Sequence, residues 1–148
     1  MAIAERRAEA TWEGDLAGGA GRVSGVSSGA LTELPVTWAS RTEQPGGKTS
    51  PEELVAAAHA SCFSMALAHE LAQGGNAPER LDVAATVTLD RVDDAPTVTR
   101  SALEVRGRVP QIDQAAFEAA AQGAGRDCPI SRLLAAAEIT VAATLETA

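Results

Sequence analysis

Between Thr49 and Gln73 the chain reads TSPEELVAAAHASCFSMALAHELAQ, an apolar run with few polar interruptions and no glycine or proline after Pro51. The pattern predicts one long, mostly buried helix. Ser50 is placed to cap it, Pro51 suits the first helical position, and Glu53 stands three residues after the cap to complete a capping box. Gly74 and Gly75 mark its end. Elsewhere the apolar positions alternate with a period of two. Leu81, Val83, Ala85, Val87 and Leu89 predict a strand over Leu81–Asp90, and Thr97–Val109 returns with Leu103 and Val105 inward and Arg100, Glu104, Arg106 and Arg108 outward. Asp93, Asp94, Ala95 and Pro96 supply the turn of that hairpin. Ile139, Val141, Ala143 and Leu145 predict a last strand over Glu138–Glu146.

Weaker patterns fill the rest. Ala8–Asp15 places Ala8, Ala10 and Trp12 opposite Glu9, Thr11 and Glu13, a strand with one wet face. Gly18, Gly19 and Gly21 form a turn into a returning strand over Arg22–Ser28, with Gly25 as a bulge. A third strand is expected over Val36–Arg41, before the loop TEQPGGK. Asp113 caps a helix over Gln114–Ala124 that the Gly123 and Gly125 region ends, and a further helix starts near Cys128. This order has too few alternating strand and helix units for a doubly wound parallel sheet, so the expected class is α+β. No internal repeat or domain-sized linker is visible, and 148 residues suit one domain.

Composition sharpens the picture in two ways. Apolar residues make up 45% of the chain, but with two Phe, two Trp and no Tyr the core is built from small side chains, which makes burial in a dimer attractive. A net charge of −8 argues against nucleic acid as the main partner, because phosphate binding needs a basic face. The first fifteen residues lack the apolar stretch of a signal peptide, and no apolar run is expected to approach the roughly 18 residues that span a bilayer. The expected compartment is the cytoplasm, where two cysteines are reduced thiols, redox-active thiols or metal ligands rather than a structural disulfide.

Cys62 lies inside the long helix among Ala58, Met65 and Ala66, where a buried cysteine commonly serves as a small hydrophobe. Cys128 differs: Asp127-Cys128-Pro129 opens a helix, and a thiol there feels the positive end of the helix dipole, opposed by Asp127. His59, Cys62 and Cys128 make an incomplete metal set, since a fourth ligand is hard to find and no close Cys or His partner accompanies either thiol. There is no GxSxG elbow for a serine hydrolase and no phosphate-loop or dinucleotide fingerprint.

TSPEELVAAAHASCFSMAL, followed 66 residues after its cysteine by CPISRLL, resembles the signature of the OsmC/Ohr family of thiol-dependent peroxidases, and more closely its OsmC branch. WEGD at Trp12–Asp15, the stretch around Arg41–Glu43, LDVAATVTLDRVD and the last alternating strand extend the resemblance over essentially the full chain. It implies an OsmC-like fold of antiparallel sheets packed around the long helix in an intertwined homodimer. It further implies that Cys62 is the peroxidatic thiol, Cys128 the resolving thiol, and Arg41 with Glu52 the polar pair that activates Cys62. Arg41 precedes Cys62 by 21 residues, as in the OsmC branch; Arg22 is the alternative if the Ohr branch applies.

The implied activity is reduction of organic hydroperoxides, and less well of hydrogen peroxide, with a small dithiol or lipoyl-type reductant and no metal or haem. The competing readings are a non-catalytic member of the fold that binds a small apolar ligand, and a cysteine redox sensor. Glu52 and Cys62 are ten residues apart in one helix, about 15 Å at 1.5 Å rise per residue. That separation leads to an expectation that two long helices pack antiparallel, with Glu52 of one subunit serving Cys62 of the other.

Overall fold

The computed structural model describes residues 1–147. The chain divides into two compact units, the first ending at Leu54 and the second beginning at Val55, so the boundary falls inside one continuous helix rather than in a linker.

In the first unit, strand β1 (Glu9–Glu13) pairs antiparallel with β2 (Ala20–Ser24), which pairs antiparallel with β3 (Leu34–Val36). The connection between β1 and β2 is tied by Asp15, whose side chain accepts from Gly18 N at 2.6 Å and whose carbonyl accepts from Gly19 N at 2.9 Å. Trp12 lies opposite Gly21, where an added Cβ would come within 2.8 Å of the indole; the ring needs a residue with no side chain across from it. Every residue of β1 is exposed, so the expected dry face does not exist within a single chain. Gly25 follows β2 instead of bulging it, at φ +56°.

The expected strand over Val36–Arg41 is corrected. β3 stops at Val36, and Thr37 opens a short helix, α1 (Trp38–Thr42). The cause is a reciprocal capping box: Ser40 N donates to Thr37 Oγ1 at 3.0 Å, and Thr37 N donates to Ser40 Oγ at 2.9 Å. Ser40 Oγ also lies 3.0 Å from the Thr49 carbonyl, which holds α1 beside the start of α2 (Pro51–Gln73). At that start Glu53 N donates to Ser50 Oγ as expected, but the Glu53 carboxylate accepts from the Thr49 hydroxyl at 2.8 Å and does not turn back to the Ser50 backbone.

In the second unit, β4 (Arg80–Val92) and β5 (Ala95–Arg108) form a long antiparallel hairpin. Its turn is Asp93-Asp94, both at positive φ, the backbone that a two-residue connection between right-twisted strands requires. β6 (Glu138–Leu145) runs parallel to β5, giving the order β4-β5-β6; this sheet is therefore mixed, not antiparallel throughout. The reversal follows from the crossover between them, which contains α3 (Gln114–Asp127) and α4 (Pro129–Leu133). Asp113 caps α3 by accepting from Ala116 N. That helix runs through Gly123 and Gly125 to Asp127, three residues past its expected end. Gly125 serves packing: a Cβ there would sit 2.7 Å from Val141 Cγ2 on β6.

The core of this unit is a stripe of α2 at four-residue spacing, Phe63, Leu67 and Leu71, against Leu103 and Val105 of β5 and Phe117, Ala121 and Ala124 of α3. Contrary to the sequence expectation, α2 is long and apolar enough by composition to cross a bilayer. Only 22% of that apolar window is buried in the single chain, so the expected mostly buried helix is corrected: the stripe alone belongs to the core, with Cys62 beside it.

Candidate active site

The first unit brings Arg41 and Glu52 together. Arg41 sits in the last turn of α1 and Glu52 in the first turn of α2, where a carboxylate also faces the positive end of the helix. Arg41 Nε lies 3.1 Å from both Glu52 oxygens, and Nη2 donates to Oε1 at 2.7 Å, a two-pronged grip that fixes the guanidinium plane. The Trp38 ring lies 5.7 Å from the Arg41 guanidinium carbon and packs as a cation–π partner. Trp12, Leu16, Val36, Trp38 and Pro51 line an apolar cavity of about 330 Å³ with Arg41 at its wall. Arg22, the alternative cation, pairs instead with Glu33 at 3.2 Å.

The second unit brings the two cysteines together, both as free thiols. Cys62 is half-buried on α2. Cys128 is fully buried at the junction of α3 and α4, where its N–H donates to the Ala124 carbonyl and its own carbonyl accepts from Arg132 N. Burial raises the Cys62 pKa above the ordinary thiol value, and the nearby Cys128 thiol, within hydrogen-bonding reach, raises it further; a hydrogen bond from the Ile130 backbone acts the other way. Among the described residues, the groups that act on this thiol include no cation.

His69 is exposed on α2 with Gln73 as partner. His59 is fully buried, with Nδ1 2.6 Å from Ser101 Oγ on β5 and Nε2 2.8 Å from Ser131 Oγ on α4. Burial lowers its pKa, so the ring is held in its neutral form.

A half-buried helical thiol facing a buried second thiol, on an α+β framework, defines a two-cysteine thiol protein. Residues 44–144 match the OsmC-like protein family. The chain is 43% identical over 136 residues to peroxiredoxin OsmC of Escherichia coli K12, covering 92% of this chain and 93% of that protein, and equally so to its Shigella flexneri counterpart. The organic hydroperoxide resistance protein OhrB of Bacillus subtilis shares the fold with a TM-score of 0.71 at 22% identity, over 95% of this chain and 98% of that one. An OsmC-like protein from Mycoplasma pneumoniae shares it with a TM-score of 0.74 at 12% identity, over 99% and 100%. The chain belongs to the OsmC-like family, and its curated relatives are peroxiredoxins.

Proposed function

We propose that this chain is a cysteine-based peroxidase that reduces organic hydroperoxides, and hydrogen peroxide less well, through Cys62 and Cys128. The observation that carries the reading is the pairing of the two free thiols in the second unit. The thiolate of Cys62 attacks the terminal oxygen of the hydroperoxide; the O–O bond breaks, Cys62 becomes a sulfenic acid, and the alkoxide leaves as the alcohol after taking a proton. Cys128 then attacks the Cys62 sulfur, the S–O bond breaks, and water leaves as the disulfide forms. A small dithiol or lipoyl-type thiol restores both cysteines by exchange.

The raised pKa of Cys62 means that the first step needs a cation close by. Arg41, oriented by Glu52, is suited to hold the thiolate and to stabilise charge on the departing oxygen. Glu52 precedes Cys62 by ten residues of the same helix, so the pair is assigned to the Cys62 of a second copy in an intertwined homodimer. Exposed apolar side chains support that assembly: Met65 on α2 is 67% accessible and Leu133 on α4 is 77% accessible in the lone chain. The apolar cavity beside Arg41 favours an alkyl-bearing peroxide over hydrogen peroxide. The reaction is assigned to the cytoplasm, where dithiol reductants keep both thiols available.

The test is consumption of cumene hydroperoxide by the reduced protein with a dithiol. Wild type is expected to turn over and Cys62→Ser to be inert, while Cys128→Ser oxidised without the dithiol is expected to stop after one equivalent with a trappable sulfenic acid. Turnover by Cys62→Ser would overturn the mechanism, and inert wild type would favour a ligand-binding role.

A further inference from the structure

His59 and Cys62 are three residues apart on α2, and Cys128 and Ser131 are three residues apart across the start of α4. The hydrogen bond between His59 Nε2 and Ser131 Oγ therefore ties the helical turn that carries one thiol to the turn that carries the other. α4 is only five residues long, and Leu133 on it is exposed. Ser131 is the residue of α4 that is buried, at 3% exposure, and its hydroxyl is spent on the imidazole.

The opposite ring nitrogen is fixed by Ser101 on β5, itself fully buried. A neutral imidazole has one N–H and one lone pair, and a serine hydroxyl takes either role, so two serines satisfy both ring nitrogens. Plain packing would be served as well by a leucine. The bond at Nε2 is the one that ties α4 to α2, whereas the bond at Nδ1 ties the ring to β5.

We propose that His59 is a positioning residue for disulfide closure: through Ser131 it holds α4 so that the Cys128 thiol faces Cys62, and so sets the rate of sulfenic acid resolution and not the rate of peroxide attack. This rests on the reading of Cys62 and Cys128 given above. Resolution competes with a second oxidation, in which the Cys62 sulfenic acid takes an oxygen from another hydroperoxide, giving a sulfinic acid and a second alcohol. A loosened α4 shifts that competition toward the sulfinic acid.

The two ring nitrogens can be tested separately. The amide of glutamine reaches the position of Nε2, and that of asparagine reaches Nδ1. His59→Gln keeps a partner for Ser131, and His59→Asn keeps one only for Ser101. Single-turnover reaction with cumene hydroperoxide measures the first step, dimedone trapping the sulfenic lifetime, and mass spectrometry the sulfinic fraction. His59→Asn and Ser131→Ala are expected to lengthen the sulfenic lifetime by about tenfold or more and to raise the sulfinic fraction, with the first step within about twofold of wild type. His59→Gln and Ser101→Ala are expected to stay near wild type on all three measures.

Equal effects in both pairs, effects on the first step as large as those on resolution, or an unchanged lifetime in Ser131→Ala would overturn the proposal. If the histidine variants fail to fold, the two serine variants carry the comparison alone. Inert wild type, or active Cys62→Ser, would instead overturn the peroxidase reading.

Discussion

Cys62 is raised by its own burial and by its partner thiol, so its nucleophilicity at neutral pH depends on what is brought to it. If Arg41 is that group, Arg41→Ala should lower the rate of cumene hydroperoxide reduction at pH 7 by about 100-fold, the usual effect of removing one charge-stabilising donor. The remaining rate should climb about tenfold per pH unit into the alkaline range, following the thiolate, while the wild-type profile levels off at lower pH. Coincident profiles would show that Arg41 does not act on the thiol. His59 gives a second pH dependence, in stability. Its folded pKa lies below the ordinary 6.5, so the unfolded chain binds more protons once the pH drops below that value. The stabilisation is complete above pH 6.5 and is lost as the pH falls through the folded value. The urea midpoint of wild type should therefore fall more between pH 7 and pH 5 than that of His59→Gln.

Two glycines of α3, two residues apart, test how that element packs. At Gly125 a Cβ would meet Val141 at 2.7 Å, whereas at Gly123 the nearest neighbour is the flexible end of Arg126 at 3.9 Å. Gly125→Ala should destabilise by about 1–3 kcal/mol through overpacking against β6. Gly123→Ala should stabilise by about 0.4–1 kcal/mol through the unfolded chain and helix propensity. Urea midpoints read both, and equal shifts would refute the packing role of Gly125. In the sequence the two glycines look alike, which is why α3 was expected to end there. β4, β5 and β6 were legible because their apolar period is long and regular, and α2 because its apolar run is long, with capping residues before it and two glycines after it. α1 was not, because Thr37 and Ser40 cap each other within five helical residues, too few to show a period. The parallel course of β6 depends on the crossover, which alternation along one strand cannot reveal. At the site, the thiols and the Arg41–Glu52 pair followed from a resemblance in motif spacing. The partners of His59 stand 42 and 72 residues away in sequence and leave no local signal.

At the scale of the whole molecule the question is which chain completes each site. Arg41 and Glu52 belong to the first unit and the two thiols to the second. Glu52 stands in the first turn of α2 and Cys62 ten residues later in sequence. β1, exposed at every position, and Met65 on α2 leave apolar surface for a second copy. A heterodimer of Glu52→Ala and Cys62→Ser subunits separates the two arrangements. If the pair serves the partner's thiol, the Glu52→Ala subunit supplies an intact Cys62, the Cys62→Ser subunit supplies an intact Arg41–Glu52 pair, and one good site results. The purified heterodimer should then turn over cumene hydroperoxide at about half the wild-type rate, while each variant homodimer is severely impaired. If the pair serves its own chain, both sites are broken and the heterodimer is as impaired as the homodimers. Were the Glu52→Ala homodimer itself to keep the wild-type rate, Glu52 would be dispensable, and the pair would have no part in activating Cys62.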